Sequence, residues 1–218
     1  RRGGAPPKGA ARQRAGGQAA MVLVLCMGDL HVPHRAADLP ERFKALLVPG
    51  KVQHALLTGD LCDRAMYDYL KSVCPDMRVA MGEFDGALGA EKGYAETCTL
   101  KVGELTLGVV HGHQVVPWGD ADALAALQRQ LGCDVLVSGH THECRTYVYD
   151  GRLLVNPGSA TGAASTLSGG TASQVNPSFV LMDVVDARAT VYVYQLVDGE
   201  VRSHTRAGYL QRLTSTYD

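Results

Sequence analysis

Six short clusters of Asp, Glu, His, Asn and Gly follow apolar runs along this chain and carry its clearest chemical potential. Carboxylates and imidazoles are the ligands that hard and borderline divalent metals prefer. When such clusters follow the carboxyl ends of several strands, they converge at one edge of a sheet. The clusters are Gly28–His31, Gly59–Asp63, Gly82–Asp85, His111–His113, Gly139–His142 and Asn156–Ser159. Together they predict a metal site.

Two of the clusters carry possible ligands two residues apart. Asp29 and His31 follow one apolar run, and His140 and His142 follow another. Residues i and i+2 of an extended chain face the same side, which predicts that both members of a pair reach one ion. The alternative for the first pair is a helix N-cap at Asp29 beside a surface His31.

Asp60 comes directly after a buried apolar run and a glycine. A carboxylate in that position can bridge two cations, which two-metal sites hold about 3.5–4 Å apart. The alternative is an N-cap for a helix that starts near Arg64, although Asp63 fits that role better. His111 follows a further apolar run, and Asn156–Ser159 is either part of the same edge or only a turn.

Elements that would position these clusters are visible in the first half of the chain. Buried strands are predicted at Val22–Cys26, His54–Leu57 and Met77–Met81, and helices at Leu39–Val48 and Arg64–Val73. This alternation favours parallel strands with right-handed crossovers.

The second half has a different pattern, with hairpin signals and one helix over Asp120–Leu131. Two Asp-Gly pairs, at 150–151 and 198–199, are typical of tight antiparallel turns. A Gly-, Ser- and Thr-rich stretch over 158–174 is predicted to be a loop. Strands are predicted at Ala95–Lys101, Leu105–Val110, Val135–Val137, Arg145–Tyr149, Leu153–Val155, Phe179–Val184, Thr190–Leu196 and near Val201. The whole is consistent with an α/β domain of two packed mixed sheets.

Bulk composition indicates one domain without a nucleic-acid-binding surface. The 218 residues are 46% hydrophobic and carry a net charge of −1, which supports a sizeable core and argues against nucleic acid as a partner. No apolar run approaches the roughly 20 residues of a membrane span. We predict a domain at 21–207, a disordered basic extension at 1–20 and a tail at 208–218, with an organellar transit peptide as the alternative for 1–20.

Six cysteines occur without a C-x-x-C pair, which argues against a zinc knuckle. Cys26 lies inside an apolar run and is typical of a small buried hydrophobe. Reduced thiols are therefore expected, with a disulfide set as the alternative.

The order D-x-H, G-D-x-x-D, G-E-F-D, H-G-H, G-H-T-H, N-P-G-S resembles that of calcineurin-like metallophosphoesterases. Beyond the motifs, the segments 28–35, 47–50, 111–120, 127–131 and 156–163 resemble the branch of this family that forms the small subunit of retromer. The similarity covers about Met21 to Val201. It implies a single-domain, four-layer α/β/β/α sandwich.

The resemblance also implies two divalent-metal sites, for Mn²⁺ or Zn²⁺. The ligands implied for the first metal are Asp29, His31, Asp60 and His142, and those for the second are Asp60, Glu83, His111 and His140. In the active enzymes the position of Glu83 is Asn, and the position of Phe84 is a His that protonates the leaving oxygen. General acid catalysis is typically worth about 10²–10⁴-fold, so Phe84 argues against an efficient enzyme. Some small phosphodiesterases of the family lack this His and remain active.

Three classes of function follow from the resemblance. The favoured one is a non-enzymatic scaffold subunit of the retromer cargo-selective complex, cytoplasmic and peripheral on endosomal membranes, in endosome-to-Golgi transport. The alternatives are a metal-dependent phosphodiesterase or phosphatase and a purely structural metal site.

Two partner surfaces are expected, each with buried core as the alternative. One would dock the helical-solenoid retromer subunit beside the metal edge, and its aromatic and aliphatic residues are typical of interface hot spots. The other would bind regulatory proteins in the antiparallel half. The first consists of Val115, Val116, Pro117 and Trp118, and the second of Leu181, Tyr192 and Tyr194. Membrane contact is expected only through the complex.

Overall fold

The computed structural model describes residues 21–165 and 175–208. The expectations for 1–20, for 166–174 of the predicted loop and for 209–218 lie outside these residues. The described helices are α1 Glu41–Leu46, α2 Arg64–Val73, α3 Gly86–Lys92 and α4 Ala121–Leu131. The described strands are β1 Val22–Met27, β2 His54–Leu57, β3 Met77–Val79, β4 Thr97–Val102, β5 Leu105–Val110, β6 Val135–Ser138, β7 Arg145–Tyr149, β8 Arg152–Asn156, β9 Ser178–Val185, β10 Arg188–Val197 and β11 Glu200–Gly208.

The strands form two mixed sheets, with orders β11-β10-β9-β1-β2-β3 and β4-β5-β6-β8-β7. In the first sheet β1 pairs in parallel with β2, and β2 with β3, which confirms the predicted parallel half. On its other side β1 pairs antiparallel with β9. In the second sheet β5, β6 and β8 are parallel, and β4 and β7 are antiparallel edge strands.

Alternation along the central strands separates the apolar side chains into three cores. Val24 and Cys26 of β1 pack between the two sheets. Leu25 and Met27 point the other way, into the core that contains Phe43 of α1. A third core lies between the second sheet and α4. Because both faces of each sheet are covered, the layers are α/β/β/α, as the resemblance implies.

Two helices differ from the sequence-based expectation. Helix α3 was not predicted, because two of its seven residues are glycine and its only large buried side chain is Leu88. Helix α1 is shorter than the predicted Leu39–Val48. It begins after Pro40, whose extended backbone cannot belong to the helix, and it ends before Leu47.

Loops that leave the strand ends are hydrogen-bonded to one another at one edge of the molecule. The N–H of Asp29 donates to the carbonyl of Gly59 at 3.0 Å, and that of Gly139 to the carbonyl of His111 at 2.7 Å. The N–H of Ala160 donates to the carbonyl of Gly28 at 3.1 Å, across the two sheets. These backbone hydrogen bonds therefore hold the loops that carry the polar clusters in place.

All six cysteines lie within the described residues, and none of them is in a disulfide bond there. Among the helices of the described segments, none is both long enough and apolar enough to cross a membrane.

Candidate metal centre at the sheet edge

Seven candidate ligands meet where the polar clusters converge. Three sets drawn from these seven each bring their ligand atoms within 4.8 Å of one another: Asp29, His31 and His142; Glu83, His111 and His140; and Asp29, Asp60 and His111. A fourth set adds Cys62 and Asp85 around Asp60. An oxygen of Asp60 joins the sets, because Asp60 Oδ2 lies 3.4 Å from both His31 Nε2 and His111 Nε2. A carboxylate between two imidazoles is the geometry of a bridging ligand.

Backbone carbonyls orient two of the histidines. Nδ1 of His111 lies 2.8 Å from the carbonyl of Thr58, and Nδ1 of His142 lies 2.6 Å from the carbonyl of Ala163. A carbonyl only accepts, so each Nδ1 must carry the proton and each Nε2 presents a lone pair to the centre. Nε2 of His111 and of His140 is buried without a hydrogen-bond partner among the described residues. This donor set fits a divalent cation.

Five of the seven ligands have left-handed backbone conformations. The φ angles are 50° at Asp29, 50° at His31, 53° at Asp60, 71° at His140 and 60° at His142. The expectation of extended i, i+2 pairs is therefore wrong for both pairs. Asp29 and His31 still belong to one set, whereas His140 faces Glu83 and His111 and His142 faces His31. Such strain occurs at functional sites, where the surrounding structure compensates for it.

At two positions of the clusters, neighbouring ligand side chains come so close to the backbone that only glycine fits. A Cβ on Gly82 would lie 2.1 Å from Asp60 Oδ1, and a Cβ on Gly139 would lie 2.7 Å from Asp29 Oδ2. Both distances are shorter than any real Cβ contact, so a side chain at either position would displace a candidate ligand.

Asp85 positions the loop that carries Asp60, a role that the sequence did not reveal. Its buried carboxylate accepts the backbone N–H groups of Asp60 at 2.8 Å, Leu61 at 2.8 Å, Cys62 at 3.1 Å and Gly82 at 3.0 Å. The only sequence signal was its place in the Gly82–Asp85 cluster.

Burial shifts the protonation equilibria of the centre toward neutral forms. It raises the pKa of Asp29 well above its usual value and that of Asp60 to about 7. It lowers the pKa of His31 and of His111 to about 3 and that of His142 to about 4. A bound cation would offset the cost of holding the carboxylates charged.

Glu83 lies at the outer side of this centre, and Phe84 lies at its mouth. Glu83 Oε2 is 3.0 Å from Nδ1 of His140. The ring of Phe84, half exposed at 52%, meets that of His31 edge-on at 5.3 Å. An apolar ring therefore covers this side of the cleft.

The loop after His113 exposes apolar side chains beside the same mouth. Val116 and Trp118 are 73% and 48% exposed, whereas Val115 is only 8% exposed and packs into the core beneath α4. The expectation that Val115 lines a docking surface is corrected accordingly. The indole of Trp118 donates to the carbonyl of His113 at 2.9 Å, and its ring lies 4.7 Å from that of His140. Pro117, between them, is exposed.

Leu181, Tyr192 and Tyr194 share the outer face of the first sheet. Leu181 is the cross-strand partner of Tyr192, and Tyr194 stacks on Phe179 with ring centroids 4.8 Å apart. All three are half-buried, and Leu181 and Tyr194 pack against the core beside α1. Half-burial of these three side chains does not decide between a partner surface and buried core.

Comparison with known proteins agrees with this geometry. Residues 21–187 match the model of the calcineurin-like phosphoesterase superfamily domain. Vacuolar protein sorting-associated protein 29 of Schizosaccharomyces pombe is 42% identical over 181 residues, which are 83% of this chain and 95% of that protein.

Two crystal structures extend the comparison. Vps29 of Entamoeba histolytica in complex with Zn²⁺ superposes with a TM-score of 0.78 at 43% identity, covering 86% of this chain and 100% of that one. Vps29 of Chaetomium thermophilum in complex with a cyclic peptide superposes with a TM-score of 0.75 at 36% identity, covering 88% and 98%. This chain belongs to the vacuolar protein sorting-associated protein 29 family of calcineurin-like phosphoesterase folds.

Proposed function

We propose that this chain is a non-enzymatic scaffold subunit of the retromer cargo-selective complex and acts in endosome-to-Golgi transport. In this role it binds the helical-solenoid retromer subunit and stays cytoplasmic, peripheral on endosomal membranes through the complex. Regulatory proteins bind the surface around Leu181, Tyr192 and Tyr194.

The observation that carries this proposal is the apolar rim of the cleft, which consists of Phe84, Val116 and Trp118. All three side chains are about half exposed or more, and Trp118 contacts a candidate ligand directly. Large exposed apolar side chains grouped at one site are typical of protein interfaces. The ring of Phe84 cannot supply the general acid that typically adds about 10²–10⁴-fold to such a reaction, which favours binding over efficient turnover.

Metal is part of the same proposal. We propose two divalent sites, for Mn²⁺ or Zn²⁺, with Asp60 shared between them. The first uses Asp29, His31 and His142, and the second uses Glu83, His111 and His140. The lone pairs oriented by the carbonyls of Thr58 and Ala163 support this assignment.

The test is co-elution of the purified chain with the purified helical-solenoid subunit in size-exclusion chromatography. Val116→Asp should abolish co-elution, because docking would leave the new charge desolvated and unpaired. Val148→Asp is the matched control, since Val148 is an exposed valine on edge strand β7. Both variants should melt near the unmodified chain. If Val116→Asp co-elutes like the control, docking does not use this rim.

Metal-dependent phosphodiesterase activity is the second candidate. The observation in its favour is the complete set of carboxylate and imidazole donors in a cleft. Its test is the rate of phosphoester hydrolysis with Mn²⁺ and with EDTA.

A further inference from the structure

Arg35 lies at the mouth of the cleft in a fixed orientation. Its guanidinium carbon is 4.6 Å from the centroid of the Phe84 ring, and Nη1 donates to the carbonyl of Ala164 at 3.2 Å. The side chain is half-buried and lines the same cleft as Trp118 and His140. Stacking and a hydrogen bond together fix the plane of the guanidinium.

Within residues 21–165 and 175–208, no carboxylate forms an ion pair with Arg35. Other arginines of the surface do have such partners: Arg42 pairs with Glu200 at 3.1 Å and Arg129 with Asp150 at 3.2 Å. A guanidinium offers five N–H donors, and the bond to Ala164 uses one of them. The charge of Arg35 is thus held in place without a carboxylate in ion-pair contact from the described chain, although, against the larger raising effect of burial, it lowers the pKa values of Asp29 and Asp60 at longer range.

Docking on the apolar rim would remove water from this charge. Phe84 is part of the rim and lies against the guanidinium, so a partner that covers Phe84 also covers Arg35. An unpaired charge without water is strongly unfavourable, and a carboxylate matches a guanidinium through two parallel hydrogen bonds.

We propose that Arg35 anchors an acidic side chain, Asp or Glu, of the docked helical partner. The apolar neighbours of that acidic residue contact Phe84 and Trp118. This inference rests on the proposed function and adds the chemistry by which the partner is recognised.

The test is calorimetric titration of the full chain with the purified helical-solenoid subunit. Arg35→Glu should weaken the Kd by about 30-fold or more, or ~2 kcal/mol at 1.4 kcal/mol per tenfold. Arg35→Lys should give a smaller loss, because an ammonium keeps the charge without the two-pronged geometry. Arg202→Glu is the matched control on β11, where Arg202 pairs with Asp198 at 3.2 Å, and it should bind normally. Thermal melting of each variant reports folding, and Arg35→Gln replaces Arg35→Glu if the latter does not fold.

A charge-swap series on the partner completes the test. One Asp→Arg or Glu→Arg variant of its docking surface should restore binding to Arg35→Glu. If none does, or if Arg35→Glu and Arg35→Gln bind like the unmodified chain while Val116→Asp does not, the acidic anchor is wrong and the docking proposal stands. If the unmodified chain itself fails to bind, the proposed function is wrong and the anchor fails with it.

Discussion

At the scale of single residues, Asp60 is the side chain on which the proposed metal centre depends. Its Oδ2 lies 3.4 Å from an imidazole on either side. Asp60→Asn removes the charge and keeps the shape, so Mn²⁺ or Zn²⁺ binding at both sites should be lost in calorimetry. Asp63→Asn is the matched control, because Asp63 only caps α2 through the N–H of Met66, a role that Asn also fulfils. Equal binding heats for the two variants would contradict the bridging role.

The pH dependence of metal binding should come from carboxylates and not from imidazoles. Asp60, with a pKa raised by burial to about 7, must lose its proton to bind a cation, so protons compete as the pH falls through 7. His31, His111 and His142 have pKa values of about 3 to 4 and remain neutral there. Affinity should therefore fall about tenfold per unit below pH 7, and more steeply if Asp29 also binds a proton. Titration at pH 8, 7, 6 and 5 measures this, and a flat profile would refute it.

The sequence predicted which residue types would line this edge, but it did not predict their backbone conformations. The left-handed conformations of Asp29, Asp60 and His142 carry only a weak compositional signal, because Asp and His adopt positive φ more often than most residues but still in a small minority of cases. They are imposed by contacts distant in sequence. An example is the N–H of His140, which donates to both carboxylate oxygens of Asp29, 111 residues away, at 3.2 and 3.0 Å.

At the scale of elements, Asp85 ties α3 to the loop after β2. Asp85→Ala leaves four N–H groups without their acceptor, three of them buried, which should cost about 3 kcal/mol or more. Tm should then fall by about 6–12 °C, at about 2–4 °C per kcal/mol for this size, and metal affinity should fall as well. Asp63→Ala, the control, loses one capping bond and should cost only about 1 kcal/mol. Similar Tm changes in the two variants would mean that Asp85 does not organise the loop.

Strands were easier to predict than helices in this chain. Continuous apolar runs such as those of β1 and β6 are buried on both faces, so the pattern identifies them. Helix α3 lacks such a pattern, since Leu88 is its only large side chain in a core cluster. Asp85, just before the helix, instead binds the loop after β2 through backbone N–H groups. The outer face of β9 and β10 is intermediate, because it is only partly covered by α1.

That partial cover makes Leu181 a test of the second partner surface. Leu181→Ser should lower Tm by less than about 10 °C, because Leu181 is only half-buried, and regulatory partners should no longer be retained in pull-downs. Met182→Ser on the opposite, fully buried face is the control for a core position and should lower Tm further. A Leu181→Ser variant that melts like Met182→Ser belongs to the core.

At the scale of the whole molecule, the two sheets hold the loops of one polar edge in place. The exposed rim beside that edge does not contribute to the cores and can vary without affecting them. The fold needs buried apolar strands and the loop hydrogen bonds, whereas the rim residues Phe84, Val116 and Trp118 are not part of any core cluster. Substitution at the rim can therefore change what the molecule does without changing its fold. The proposed metal edge and the proposed interface are in contact at the rings of Trp118 and His140, so the same two sheets would support both.

Catalysis is the property of the whole molecule that separates the two candidate functions. Phe84 cannot transfer a proton, and Glu83 adds a negative charge beside His140, so turnover of phosphomonoesters with Mn²⁺ should stay near background. Activated diesters such as bis-nitrophenyl phosphate need less acid assistance and should show a trace that EDTA removes. The double variant Glu83→Asn, Phe84→His should raise the rate above that of either single variant, because it supplies a donor and removes the repulsion. A metal-dependent kcat of about 1–10³ s⁻¹ for the unmodified chain would instead establish an enzyme, since no scaffold requires turnover in that range.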